Sequence, residues 1–511
     1  MTLASAAQLS FDESPSPRPA GGWRPSFPGV ERWLVEGGDT RLDLDAASGL
    51  NKYGCAPRPA PSDFDFASST ASTVSPRGWT AAQGLADRLA ESDSRVWRAV
   101  TYGREMDRVR AELLSLNGLE DMQGLDVIFA ASGTDAHLLV ADLVGDATRR
   151  PLVCLAIEPE ETGSGVPAAL NRRHFSTVTA LGERVAMGEP VGVGDGGYVS
   201  VASRRLDGSI RPPEEIAAEL DAIIARADQA GRRVVLSVTD VSKTGLIAPD
   251  LETVVGLCWR YPDMLQVVID ACQFRLSPAS LRAYLEHGFI VTVTGSKFLA
   301  GPCFSGAVFV PARQAKRLRA RRLAPGMAAY AAAAEWPLDW AAGAHLPEAA
   351  NFGLLLRWEA ALAELRTFRS LDPAAIDAFA VRFADAVGQA LAENPAFEPL
   401  ASGSLDRAAI AAPPSWDARQ TIFPFLLRRE GRYLGRAETE AVYRRLSGAE
   451  IGVRLGQPVL CGERDGQPVS ALRLCNSAPL IVEALTGGEP DAVIARAGRA
   501  LTQAGLAAGR L

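Results

Sequence analysis

Residues 265–297, LQVVIDACQFRLSPASLRAYLEHGFIVTVTGSK, decide the fold. The stretch opens on an apolar run built around the β-branched Val267, Val268 and Ile269, and that run ends on a carboxylate, Asp270. SPASLRAYLEHG then carries the apolar spacing of a helix. A second β-branched run, from Val291 to Thr294, ends on Gly295, Ser296 and Lys297. Two near-continuous apolar strands joined by a helix is the pattern of parallel strands buried on both faces. An acid and an amine placed just past such strands are costly unless partnered or used.

The same unit recurs on either side. LDVIFAAS (125–132) reads as a strand followed by the helical spacing of GTDAHLLVADLVGDA, and PLVCLAIE (151–158) as another strand. PPEEIAAELDAIIARADQAG (212–231) is an amphipathic helix opened by proline and closed by glycine, leading into the strand RRVVLSVTDVS. DLETVVGLCWRYP (250–262) is a further helix and SGAVFVP (305–311) a further strand. Residues 91–349 therefore read as an α/β domain, a mainly parallel sheet of about seven strands between helices. After an alanine- and proline-rich passage, residues 350–511 mix long helices with shorter strands and read as a smaller α+β domain. Residues 26–90 form an N-terminal segment expected near the active site and the small domain. Residues 1–25, rich in Ser, Pro and Gly, are expected to be a mobile arm.

Composition narrows the function. The 511 residues are 47% hydrophobic with a net charge of −7 and both signs dispersed, which argues against a nucleic-acid binder. Seven scattered cysteines without a C-x-x-C pair and only four histidines indicate neither a disulfide framework nor a metal site, and fit a reduced, cytoplasmic compartment. No stretch reads as a signal peptide or a membrane span.

In open α/β sheets ligands bind beyond the carboxyl ends of the strands. The residues there are Ser132-Gly133-Thr134, Glu161-Thr162, Ser242-Lys243-Thr244, Asp270 to Gln273, and Thr294 to Lys297. Gly133 allows a tight turn into a helix N-terminus suited to a phosphate, although Ser-Gly-Thr also serves as a plain helix cap. Asp270 is well placed to face a protonated ring nitrogen, or to cap the next helix. Lys297 is placed for Schiff-base chemistry or to reach solvent, and Lys243 is its rival. A nucleotidase reading of TGSK fails, because no glycine-rich run precedes the lysine.

VIDACQFR followed by TGSKFLAGPCFSGAV resembles the class V aminotransferase superfamily, which includes cysteine desulfurases and kynureninases. The resemblance runs from about residue 100 to Arg473. It implies the fold of pyridoxal-phosphate enzymes of fold type I, with a phosphate turn, then a strand-end Asp, then the lysine. Lys297 fits that order; Lys243 precedes Asp270 and does not. At matching positions the family implies that Lys297 binds the cofactor as a Schiff base, Asp270 pairs with the ring nitrogen and Gln273 contacts the ring hydroxyl. Ser132, Gly133, Thr134, Thr294 and Ser296 correspond to the phosphate cup, Thr162 to a residue near the ring, and Ser242 or Lys243, in DVSKTGLIAP, to the polar side chain bordering the ring. Arg473, in SALRLCNSAP, corresponds to a carboxylate clamp, with Arg454 as a further substrate contact. Outside the resemblance, the polar-aromatic turn Asn51-Lys52-Tyr53-Gly54 reads as a cover over the active site with Asn51 as a substrate contact, or as an ordered arm packing on the small domain or a partner subunit.

The departures are informative. The desulfurase cysteine aligns with Val459, and the nearby Cys461 reads as structural. Glu161, Thr162 and His174 all remain open as the group covering the ring. Transamination of a small amino acid or related amine is the first reading, a side-chain lyase the second, and a non-catalytic binding protein the third. The family also implies a homodimer.

Overall fold

The structure, a computed structural model, describes residues 29–59, 64–90, 95–145, 150–192, 197–448 and 450–510. The expected arm at 1–25 lies outside the described residues. A two-residue stub, β1 (Asp65–Phe66), comes first. The central sheet is then built from β2 (Asp126–Ala130), β3 (Leu152–Ile157), β4 (Gly197–Val201), β5 (Arg233–Asp240), β6 (Ile247–Ala248), β7 (Leu265–Ala271), β8 (Ile290–Thr294) and β9 (Gly306–Val310). Its order is β2-β9-β8-β7-β5-β3-β4, with β6 beside β5. The pairs β4–β3, β3–β5, β5–β7 and β7–β8 are parallel, whereas β9 runs antiparallel between β8 and β2.

Both faces of this sheet are dry. Successive side chains point to opposite faces of a strand. Val267, Ile269, Val291, Val293 and Phe309 enter one apolar cluster, while Val268, Ile290, Val308 and Val310 enter another. Full burial of each such aliphatic side chain stabilises by roughly 1.5–3 kcal/mol. That is why these strands show no polar alternation. The crossover helices begin where capping chemistry allows. Ser132, Asp250 and Ser277 each accept a backbone N–H of the following turn, and proline opens the helices Pro213–Gln229 and Pro278–Glu286.

The second sheet has the order β1-β13-β14-β11-β10, from β10 (Phe397–Pro399), β11 (Ile422–Arg429), β13 (Arg454–Arg464) and β14 (Gln467–Cys475), with β12 (Arg432–Tyr433) beside β11. β1 pairs with β13 through Asp65 and Arg454, so the N-terminal segment is stitched onto this sheet. The helix Phe352–Arg369, expected to open the second domain, is buried along most of its length. Its Trp358 indole donates to the Gly306 carbonyl at 3.2 Å, tying it to the edge of β9. Among the described residues no helix is long and apolar enough to cross a membrane.

Candidate active site

The carboxyl ends of β2, β3, β5, β7 and β8 open into one cavity of about 230 Å³, closed from above by the N-terminal segment and by β13 and β14. Ser132, Gly133 and Thr134 form one wall, where the helix Gly133–Val144 points its free N–H groups into the space. A Cβ on Gly133 would lie 2.8 Å from Cys272 Sγ, so only glycine allows the helix so close to β7. Arg41 reaches this corner from the N-terminal segment. It donates to Thr134 Oγ1 at 3.1 Å and Ser132 Oγ at 3.3 Å while paired with Asp39. Burial alone would lower the guanidinium's pKa, but Tyr53 and Asp39 raise it above the ordinary value, so the charge is permanent. Thr294 and Ser296 complete the corner; Thr294 donates to the Cys272 carbonyl at 2.6 Å and accepts from Ser296 at 3.4 Å.

Asp270 lies across the cavity floor. His137, one helical turn beyond Gly133, places Nε2 at 3.3 Å from Asp270 Oδ2. His137 Nδ1 lies 2.7 Å from the Gly133 carbonyl, which can only accept, so Nδ1 carries a proton. A bare Nε2 lone pair would then face a carboxylate. The imidazolium is favoured instead: burial pushes the His137 pKa down, but Asp270 raises it above its ordinary value. The contact is electrostatic, since the Nε2 direction misses hydrogen-bond geometry. Burial would raise the Asp270 pKa, yet His137, Lys297 and the Cys272 side chain hold it well below the carboxylate range, and the Cys272 N–H also donates to it at 3.1 Å. The carboxylate is thus ionised in a dry site.

Two lysines border the cavity. Lys297 follows β8, is half-buried, and its Nζ makes no hydrogen bond or ion pair among the described residues. Lys243 follows β5 and donates to the Pro159 carbonyl at 3.0 Å. Burial first, and then Arg473 and Lys297, lower its pKa to about 8.

Arg473 sits near the carboxyl end of β14, 1% exposed, with no acidic partner among the described residues. Its Nη2 donates to Thr70 Oγ1 at 2.9 Å and to the Gln457 carbonyl, and Nη1 to the Lys243 carbonyl at 3.4 Å; Nε has no partner. Burial lowers its pKa below the ordinary value, as it must for an unmatched guanidinium.

The sequence-derived residues divide clearly. Ser132, Gly133, Thr134, Thr162, Asp270, Gln273, Thr294, Ser296, Lys297 and Arg473 all line the cavity. The Gln273 side-chain amide donates to the Ser69 carbonyl at 2.9 Å, and its Oε1 accepts from Arg275 Nε at 3.5 Å. Ser242, Arg454 and Asn51 do not line it. Ser242 donates to Glu161 at 2.6 Å, and Arg454 pairs with Asp65 at 2.5 Å. Asn51 accepts from the Tyr53 and Cys55 N–H groups, fixing the turn that carries Lys52 and Tyr53 to the cavity. Of the three ring-covering candidates, Glu161 and Thr162 line the cavity, whereas His174 is bonded to Tyr330 outside it. Val459 faces the cavity and Cys461 does not; burial pushes that thiol up to about 12. Arg41 and His137 were missed. The i, i+4 spacing from Gly133 marks His137, whereas no local pattern marks Arg41.

No family model and no curated protein matches the chain. Solved structures do. The lyase C-DES, with glycine covalently linked to its PLP cofactor, is 14% identical, covers 86% of this chain and 97% of its own, and has a TM-score of 0.51. The cysteine desulfurase CsdA from Escherichia coli is 14% identical, covering 86% of this chain and 94% of its own, with a TM-score of 0.50. Mouse CSAD is 13% identical over 88% of this chain and 84% of its own, with a TM-score of 0.50. The chain has the fold of the PLP-dependent enzymes of fold type I.

Proposed function

We propose that the chain is a pyridoxal-5′-phosphate-dependent enzyme acting on the amine of a small amino acid, and that it is an aminotransferase of the class V type. The observation that carries this reading is the convergence on one cavity of a free amine (Lys297), an ionised buried carboxylate (Asp270) and a buried guanidinium lacking an acid (Arg473). The residues fit the cofactor. A helix N-terminus with Arg41, Ser132, Thr134 and Ser296 offers donors to a phosphate, and the bare Gly133 lets that group approach the backbone. Asp270, held anionic by His137, suits a protonated ring nitrogen.

The bound cofactor supplies an electron sink for bonds at the substrate Cα. The chain's own residues decide how that sink is used. Lys297 would hold the cofactor through Nζ, and the same amine, when free, would serve as the base that takes the substrate Cα proton and returns it. Arg473 orients the substrate carboxylate with its planar fork. The lids formed by Lys52–Tyr53 and Ser69–Ala71 exclude water from the transfer. Family likeness adds a homodimer to the proposal, which light scattering checks.

A second reading is side-chain lyase chemistry, since the fold neighbours include a cystine C-S lyase and a cysteine desulfurase, although the cavity thiol beside the N-terminal segment, Cys303, is held protonated by its Cys55 contact and by burial. Incubating PLP-loaded protein with amino acids and 2-oxo acids separates the two. A new amino acid formed from the 2-oxo acid supports transamination. Release of alanine, pyruvate or sulfide without such transfer supports a lyase, and a colourless protein inert to both overturns the cofactor reading.

A further inference from the structure

The cavity wall carries six cationic side chains, Arg41, Lys52, His137, Lys243, Lys297 and Arg473, against two carboxylates, Asp270 and Glu161. Most of these charges are already matched. Arg41 is paired with Asp39, Asp270 with His137, and Glu161 with Arg204. Glu161 also accepts from Ser242 and Thr244, so no lone pair of it is left for a ligand cation. Lys297 is assigned to the cofactor, and Lys52 is exposed at the rim. Arg473 and Lys243 remain, and neither forms an ion pair among the described residues.

Both side chains line the cavity, the guanidinium donates to the Lys243 backbone carbonyl at 3.4 Å, and its charge acts on the ammonium. Like charges side by side and away from bulk water repel, which is one reason the ammonium gives up its proton easily. An α-carboxylate answers only one of them. Of the three Lys243 ammonium donors, the Pro159 carbonyl takes one and two are left. A second cavity of about 390 Å³ shares Lys243, Ser164, Pro458 and Val459 with the first, so Lys243 borders both spaces. Glu160 borders that outer space but forms no ion pair with Lys243.

Building on the amino-acid reading above, we propose that the substrate is an acidic amino acid, its α-carboxylate on Arg473 and its side-chain acid on Lys243. A second anionic group relieves the repulsion between the two cations and is recognised by charge-assisted hydrogen bonds. A neutral amide of the same shape leaves Lys243 unmatched, and discrimination follows from that difference.

The test titrates PLP-loaded protein with aspartate, glutamate and cysteine sulfinate beside asparagine, glutamine and cysteine, following the cofactor absorbance. The acids are expected to bind about tenfold or more tightly than their neutral counterparts. Lys243→Gln should erase that preference while leaving the neutral ligands within about twofold, and Lys243→Arg should retain it. Arg473→Gln should weaken both sets. Equal binding of acids and amides overturns the proposal, as does a Lys243→Gln variant that weakens both sets alike. A preference within the acids for cysteine sulfinate or for the carboxylates names which acid the site takes. Calorimetry with succinate against succinamate reads the same preference without cofactor or turnover. Failure of PLP uptake therefore sinks the cofactor reading alone, whereas equal heats for the two dicarbonyl ligands sink this one.

Discussion

Arg407 and Arg473 are both almost fully buried, yet their surroundings are opposite. Arg407 grips Asp240, the last residue of β5, with hydrogen bonds of 2.6 and 2.7 Å, and Tyr284 adds a third donor to the same carboxylate at 2.5 Å. Among the described residues Arg473 meets only hydroxyl and carbonyl oxygens. A buried charge with a full set of partners is a structural device. A buried charge without a counter-ion is destabilising unless something from outside completes it. The contrast extends to the carboxylates. Asp240 and Asp270 lie on adjacent strands, one residue apart in register, but Asp240 is closed off by an arginine while Asp270 keeps a face to the cavity.

The largest effect should come from breaking the matched pair. Arg407→Gln leaves Asp240 buried without its cation and should destabilise by about 3–5 kcal/mol in denaturant unfolding. Any loss of activity should follow the loss of folded protein. Arg473→Gln should do the reverse: a KM for amino-acid substrate raised about a hundredfold, with unfolding stability equal to or above that of the parent. A Tm that drops as far as in Arg407→Gln would place Arg473 among the structural arginines.

A smaller effect is expected at His137, with a definite pH dependence. Its folded pKa is raised above 6.5, so its contribution is complete below pH 6.5 and is lost as pH rises through the raised value. Asp270 is depressed below 3.8, so its share is present above pH 3.8 and is lost as pH falls through its folded value. The stability gap between the parent and His137→Gln, about 1–3 kcal/mol, should therefore be widest between these limits and narrow at alkaline pH. A gap that widens with alkalinity contradicts the imidazolium. The smallest change is Asn51→Ala, which removes the two bonds that fix the Lys52–Tyr53 turn behind the cavity wall without removing a lining side chain. It should cost about 1 kcal/mol and leave KM within twofold.

The strand-end residues were legible because parallel sheets impose a rule: near-continuous apolar runs mark the strands, and ligands gather where those runs end. Asp270, Gln273 and Lys297 follow from residues 265–297 alone. Arg41 obeys no such rule. It comes from an irregular segment ahead of the sheet, and its place beside Ser132 and Thr134 is set by tertiary packing against Phe304 and Phe175. Ser242 shows the opposite error. It ends a strand as expected, but Glu161 on the neighbouring connection captures its hydroxyl, a long-range partner that no local pattern encodes. Arg454 is diverted in the same way by Asp65 of β1. The two-residue β1, too short to carry a periodicity, was not readable at all.

The assignment of Lys297 over Lys243 bears the most weight, and one measurement reaches it directly. PLP-loaded protein reduced with borohydride and digested should carry the cofactor on the peptide containing Lys297, with Lys243 unmodified, and Lys297→Ala should abolish the label. Recovery of the label on Lys243, or no label on either lysine, would contradict the account.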